Sequence, residues 1–101
     1  MNELAALETA MIEDKDFTAV WREHIPAIRF KKDAGNFVRR RRLLKREMAR
    51  RIYGRIAAGE RDTDKITEEV YESFATMLIL EIVVKLLINA MVMFIKKRWT
   101  D

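Results

Sequence analysis

The sequence predicts an all-α protein, a small helical bundle or hairpin built around one long apolar C-terminal helix and oligomeric. Apolar residues recur at the three- and four-residue steps of helices, and no segment shows the alternation of a strand. No proline or glycine follows Gly59, so a helix can run from Asp64 to Trp99. The chain has 101 residues, half of them hydrophobic. We therefore expect a single domain, 1–101, with a modest core.

The first third of the chain, residues 1–33, predicts short helices separated by turns. Asn2 can cap a first helix, and Asp16 is placed to cap a second. Pro26 disfavours helical geometry in the residue before it, so the second helix should end there in a kink. Turn-forming residues follow at 33–36, and Asn36 is placed to cap the next helix.

Residues 36–58 predict a basic amphipathic helix. Gly59 is placed to end it as a C-terminal cap. Basic residues occupy much of the circumference that the apolar residues leave free. Four apolar residues recur at four-residue steps: Leu44, Met48, Ile52 and Ile56.

Positive charge is concentrated in this helix. The whole chain carries +4, but residues 34–59 hold nine Lys or Arg against Glu47 alone, so this segment is +8 and the remainder is −4. Such a concentration favours an acidic partner. The candidate polyanion-binding residues are Arg39, Arg40, Arg41, Arg42, Lys45, Arg46, Arg50 and Arg51.

Three classes of partner fit this charge. Nucleic acid comes first, since arginines at this density can neutralise several phosphates. The helix has no Asn or Gln after its cap, so contacts should go to the backbone rather than to bases. An anionic membrane and an acidic protein surface are the other two partner classes. A further alternative is that the basic side chains contact only water.

The short connection between the basic helix and the last helix predicts an antiparallel hairpin. Connections of about five residues usually place consecutive helices side by side in opposite directions. Part of the basic segment would then be neutralised within the chain. The expected partners are Arg50, Arg51 and Arg55 opposite Glu68, Glu69 and Glu72.

The last helix, 64–99, should begin at a cap formed by Asp62, Thr63 or Asp64. At 1.5 Å per residue it would be about 54 Å long, whereas a compact domain of this size has a radius of gyration of about 13 Å. It must overhang into a partner chain, cross a membrane, or bend where the pattern does not show it.

In the soluble interpretation, the last helix forms a seam between copies of the chain. The seam residues follow alternating three- and four-residue steps, as in a coiled coil. Glu81, Lys85 and Asn89 lie four apart and would set the register between chains. The predicted oligomerisation residues are Met77, Leu80, Val84, Leu87, Met91 and Phe94.

In the membrane interpretation, helix 77–95 inserts in the bilayer and the basic helix lies on anionic headgroups. Nineteen residues span about 28 Å, close to the hydrocarbon thickness of about 30 Å. Lys85, near the centre, offsets much of the apolar gain. The N-terminus lacks the basic region of a signal peptide. We expect a location in the cytoplasm or within an assembly, with membrane association as the alternative.

Nothing in the sequence indicates catalysis. Cysteine is absent, His24 is the one histidine, and the three glycines do not match a phosphate-binding loop. We expect no metal, no cofactor and no small-molecule substrate. The sequence favours a non-enzymatic structural or interaction protein that assembles through its C-terminal helix and binds a polyanion. A packing component of a larger protein assembly is a further alternative.

Overall fold

The computed structural model describes residues 3–31 and 37–100, and within them the chain is mostly helical. The described part contains five α-helices and one antiparallel pair of two-residue strands. The elements follow in the order α1 (Glu3–Glu13), α2 (Lys15–His24), a 3-10 turn (Ile25–Ala27), β1 (Arg29–Phe30), α3 (Phe37–Ala57), α4 (Thr63–Phe74), β2 (Leu78–Ile79), α5 (Glu81–Ile95) and a π-helical turn (Lys96–Thr100).

The cap of α2 differs from the prediction. Asp14, and not Asp16, accepts hydrogen bonds from the backbone N–H groups of Asp16 and Phe17, each at 2.9 Å. Asp14 has extended backbone geometry, which turns its carboxylate over the first helical turn. Helix α2 ends before Pro26, as predicted, but Ile25 keeps right-handed helical geometry with φ −60° and ψ −32°, so the predicted departure from helical geometry at that residue is wrong. The chain continues as the 3-10 turn and becomes extended only at Ile28.

Two of the predicted helix boundaries between α3 and α4 are confirmed. Gly59 has a φ of 103°, the left-handed geometry that favours glycine after a helix. The Asp62 side chain accepts a hydrogen bond from the backbone N–H of Lys65 at 3.2 Å and so caps α4. The cap predicted at Asn36 lies outside the described residues.

The continuous helix predicted over 64–99 is wrong. Helix α4 ends at Phe74, β2 follows, and α5 begins only at Glu81. Strand β2 pairs with β1, with Arg29 opposite Ile79 and Phe30 opposite Leu78. Leu80 then precedes α5 in left-handed geometry, with a φ of 70°.

Burial of apolar surface explains this break. Because the chain folds back, Ile66, Val70 and Phe74 of α4 share one core with Val84 and Leu87 of α5. A fully buried side chain of this size contributes about 1.5–3 kcal/mol, whereas left-handed geometry at Leu80 costs only about 1–2 kcal/mol. The resulting fold measures 37 × 27 × 23 Å, with a radius of gyration of 13.0 Å.

The break also removes the helix that the membrane interpretation required. Helix α5 has 15 residues, which is about 22 Å against a hydrocarbon thickness of about 30 Å. Among the residues that the structure describes, no helix combines the length and the apolar character needed to cross a bilayer. Segment 77–95 is instead a turn, a short strand and a helix.

Candidate polyanion-binding surface

Helix α3 presents a basic face to solvent because its apolar face is buried. Arg42, Arg46 and Arg50 are exposed at four-residue steps, each about 6 Å along the helix axis. We call these three residues the arginine stripe. The opposite face packs into the core through Leu44, Met48, Ala49, Ile52 and Ile56. This packing fixes the rotation of α3 and therefore keeps the stripe outward.

Little negative charge opposes the stripe. A Glu47 carboxylate oxygen lies 3.7 Å from Arg50 Nη1, and both side chains are exposed, so this pair is weak. Within residues 3–31 and 37–100, Arg42 and Arg46 form no ion pair with an acid. Both line a cleft of about 400 Å³ whose other walls include Ile12 and Leu43. An incoming anion can therefore reach these two guanidinium groups.

Lys45, predicted as part of the polyanion site, is used inside the fold. Its Nζ donates hydrogen bonds to the backbone oxygen of Ile12 at 3.1 Å and to Thr18 Oγ1 at 2.9 Å. The ammonium also lies 5.6 Å from the centre of the Phe17 ring. Burial lowers the pKa of Lys45, and repulsion from Arg22 lowers it further. Lys45 therefore joins α3 to the α1–α2 corner instead of extending the stripe.

The remaining predicted arginines occupy other positions on α3. Arg51 is exposed, and its guanidinium carbon lies 5.7 Å from the centre of the Phe74 ring on α4. Arg41 is half-buried. Arg39 and Arg40 lie within α3, but their side chains are outside the described part of the structure. The described members of the site are thus the stripe alone, because Arg51 lies about 100° round the helix from Arg50, on the side that meets α4.

The hairpin prediction for α3 and α4 is confirmed for one pair. Arg55 forms an ion pair with Glu69 across the two helices. Glu68, which was expected to face α3, instead lies 2.9 Å from Lys85 Nζ of α5. Part of the basic charge of α3 is therefore neutralised within the chain, at the end of the helix away from Arg42.

The predicted oligomerisation seam is buried in the chain's own core. Val84, Leu87 and Met91 are fully buried, and Phe94 is half-buried with its ring centre 5.7 Å from that of Phe17. Met77 and Leu80 are exposed, but they precede α5 and so do not continue its buried face. These six residues therefore do not form one surface.

The predicted oligomerisation residues do not include the apolar residues that α5 exposes. The exposed residues are Ile82, Leu86 and Met93. They follow helical spacing, but so do the buried residues of α5, because the helix is apolar almost all round. The break at Leu80 was needed to tell which of its faces packs against α4.

The three polar residues of α5 make contacts within the chain. Lys85 Nζ lies 3.1 Å from Glu81, in addition to its contact with Glu68. Hydrogen bonding to these two carboxylates raises the pKa of Lys85. Asn89 Nδ2 donates to Thr67 Oγ1 at 3.3 Å. These contacts hold α5 against α4 in one orientation.

The His24 side chain is half-buried and contacts the backbone of its own helix. Its Nδ1 lies 3.0 Å from the backbone oxygen of Val20, one helical turn earlier. In the part of the chain that the structure describes, no three His, Cys, Asp or Glu side chains are grouped as a metal site would require.

Comparisons of the chain with models of known protein families, with curated proteins and with solved structures each found no match, so its function is inferred from the arrangement of its own residues.

Proposed function

We propose that this protein is a non-enzymatic interaction protein that binds the phosphate backbone of nucleic acid through the arginine stripe of α3. The observation that carries this proposal is the alignment of Arg42, Arg46 and Arg50 on the solvent side of a helix whose other side is buried. The stripe is about 12 Å long, enough to lie beside several phosphates of one strand.

Arginine suits this partner. Its planar guanidinium offers paired N–H donors that match two oxygens of one phosphate, and it stays charged at any physiological pH. Contacts of this kind position a protein on the backbone but do not read bases. Binding should therefore be largely independent of sequence and strongly dependent on salt.

The burial of α3 favours nucleic acid over a lipid surface. A helix that binds a membrane inserts its own apolar face below the headgroups. The apolar face of α3 is occupied by the core, and Leu43 is the exposed large apolar residue among its described side chains. Helix α3 can thus offer a membrane its charge and little apolar surface, whereas a phosphate backbone requires only the charge.

Fluorescence anisotropy with labelled single- and double-stranded oligonucleotides of random sequence tests the proposal. The test variant carries Arg42→Ala, Arg46→Ala and Arg50→Ala. The control variant, Lys15→Ala, Lys31→Ala and Lys65→Ala, removes the same charge from exposed sites on other elements. We expect roughly a tenfold or larger loss of affinity in the test variant and a much smaller loss in the control. Circular dichroism should show both variants folded.

Three outcomes would overturn the proposal. The wild-type chain could fail to bind either oligonucleotide at low salt. Both triple variants could lose affinity equally, which would mean that only net charge matters. The wild type could bind vesicles containing anionic lipid but not nucleic acid, which would make the membrane the partner of the stripe.

A further inference from the structure

Exposed apolar side chains are concentrated on the segment before and along α5. Of the seven large hydrophobic residues exposed within the described chain, only Leu43 lies elsewhere. The six are Met77, Ile79, Leu80, Ile82, Leu86 and Met93. Exposed apolar residues concentrated in one region are typical of an interaction site.

The three members on α5 form one stripe. Ile82, Leu86 and Met93 are spaced four and seven residues apart, which places them on one face of the helix. They are 75%, 59% and 60% exposed. The opposite face of α5 is in the core, so the helix is packed on one side and open on the other. Its contacts with α4 prevent it from rotating to bury the stripe.

The order of residues along the open face is symmetric. On α5 the face consists of residues 82, 86, 89, 90 and 93, and Lys97 follows four residues later in the π-helical turn. The steps along the sequence are therefore four, three, one, three and four in either direction. In an antiparallel pair of α5 helices, Leu86 of one copy lies opposite Met93 of the other, and Asn89 lies opposite Ala90. A two-fold interface requires this self-complementarity, in which each contact occurs twice.

The charges at the two ends of the face also favour the antiparallel arrangement. Glu81 is exposed at the start of α5, where it also pairs with Lys85 of its own chain, and Lys97 is exposed just after the end of α5. Lys97 has no ion pair among the residues that the structure describes. An antiparallel pair brings each Lys97 ammonium close to the Glu81 carboxylate of the other copy. A parallel pair would instead place like charges together.

We infer that a second copy of this chain covers the open face of α5, forming an antiparallel two-fold dimer through Ile82, Leu86 and Met93. Ala90, near the two-fold axis, lets the helices approach closely, and the stem of Lys97 lies over Ile82. An interface one helix wide is small, so the dimer should dissociate on dilution. The inference goes beyond the arginine stripe and does not depend on nucleic-acid binding.

Sedimentation equilibrium without detergent tests the inference. The average mass of the wild-type protein should rise with concentration from 12.0 kDa, the mass of one chain, towards twice that value. Leu86→Glu places a charge in the apolar contact on both sides and should raise the dimer dissociation constant roughly 100-fold. The matched control, Leu43→Glu, introduces the same charge at the exposed apolar residue of α3 and should leave the dimer intact. A monomeric wild type, or equal effects of the two variants, would overturn the inference.

Single cysteines distinguish the antiparallel dimer from its alternatives, because the natural chain contains none. Under mild oxidation, Ala90→Cys should cross-link, since the two residues 90 lie near the axis. Ile82→Cys should not, since its two copies would be about 22 Å apart and a disulfide needs Cα atoms within about 7 Å. Cross-linking of both variants would contradict the antiparallel arrangement. A chain that stays monomeric in solution but binds neutral vesicles through Leu86 would make lipid the occupant.

Discussion

Asn89 of α5 donates a hydrogen bond to Thr67 of α4, with 3.3 Å between Nδ2 and Oγ1. Thr67 is buried, and its hydroxyl in turn donates to the backbone oxygen of Thr63 at 2.8 Å. Two further contacts lie on either side of this bond, one from α5 and one from the π-helical turn that follows it. Lys85 meets Glu68 near one end, and Lys96 Nζ donates to Thr63 Oγ1 at 3.0 Å near the other. This series fixes the antiparallel register of α4 and α5.

The central bond of that series should be measurable as a coupling between two residues. Thr67→Val removes the hydroxyl but keeps the branched shape, and Asn89→Ala removes the donor. We expect each change to lower the free energy of unfolding by about 1 kcal/mol, as for an ordinary hydrogen bond. The double variant should lose less than the sum of the two single losses. Urea unfolding measures all four proteins, and strictly additive losses would show that the two side chains do not interact.

Replacing Leu80 by glycine tests the break between α4 and α5. Leu80 has a φ of 70°, a geometry that glycine adopts without the steric cost that leucine carries. Leu80→Gly should therefore leave the free energy of unfolding unchanged or raise it by up to about 1 kcal/mol. In a continuous helix over 64–99, the same change would lower it by about 1 kcal/mol. Leu43→Gly is the matched control, since Leu43 is 50% exposed inside α3 and Leu80 is 54% exposed. The control should be destabilised; a similar loss in Leu80→Gly would contradict the break.

The cap of α2 makes stability depend on pH in the acid range. The hydrogen bond from the Phe17 N–H lowers the pKa of Asp14, burial opposes this shift, and the charge of Arg98 lowers the pKa further. A carboxyl whose folded pKa lies below its unfolded value of about 3.9 stabilises the fold above that pH. This contribution is lost as the pH falls through the folded pKa.

Two substitutions at Asp14 separate the cap from the charge. Asp14→Ala removes both and should lower the free energy of unfolding by about 1 kcal/mol near neutral pH. Asp14→Asn keeps a capping side chain, so its smaller deficit should disappear as the pH falls below about 4. Urea unfolding across the acid range checks both expectations. Asp16→Asn is the control, because Asp16 is exposed and does not cap the helix. A deficit of Asp14→Asn that persists at low pH would contradict a role for the charge.

The local signals in the sequence predicted the boundaries that local chemistry determines. Gly59 and Asp62 end one helix and begin the next because of their own backbone and side-chain preferences. The short connection predicted that three basic residues of α3 face three acids of α4, and Arg55 with Glu69 is the pair that forms. Glu81 and Lys85 are spaced i to i+4, which brings them within reach of one another on α5, and they form an ion pair.

The break at Leu80 could not be predicted because its cause is not local. Leucine favours helix, and no glycine or proline lies nearby. Burial of α5 against α4 stabilises the reversal, and that burial exists only in the folded chain. The wrong prediction of one continuous helix also made the predicted oligomerisation residues wrong. Without knowledge of the break, the sequence does not show which face of α5 meets α4. The prediction therefore placed Val84, Leu87 and Met91 in contact with a partner chain, whereas they are buried in the core of their own chain.

The salt dependence of nucleic-acid binding tests the role of the arginine stripe most directly. The logarithm of the binding constant should fall linearly with the logarithm of salt concentration, with a slope proportional to the number of phosphates neutralised. If Arg42, Arg46 and Arg50 each contact one phosphate, replacing all three by alanine should make the slope shallower by about 2–3. An unchanged slope in this triple variant would contradict phosphate binding by the stripe.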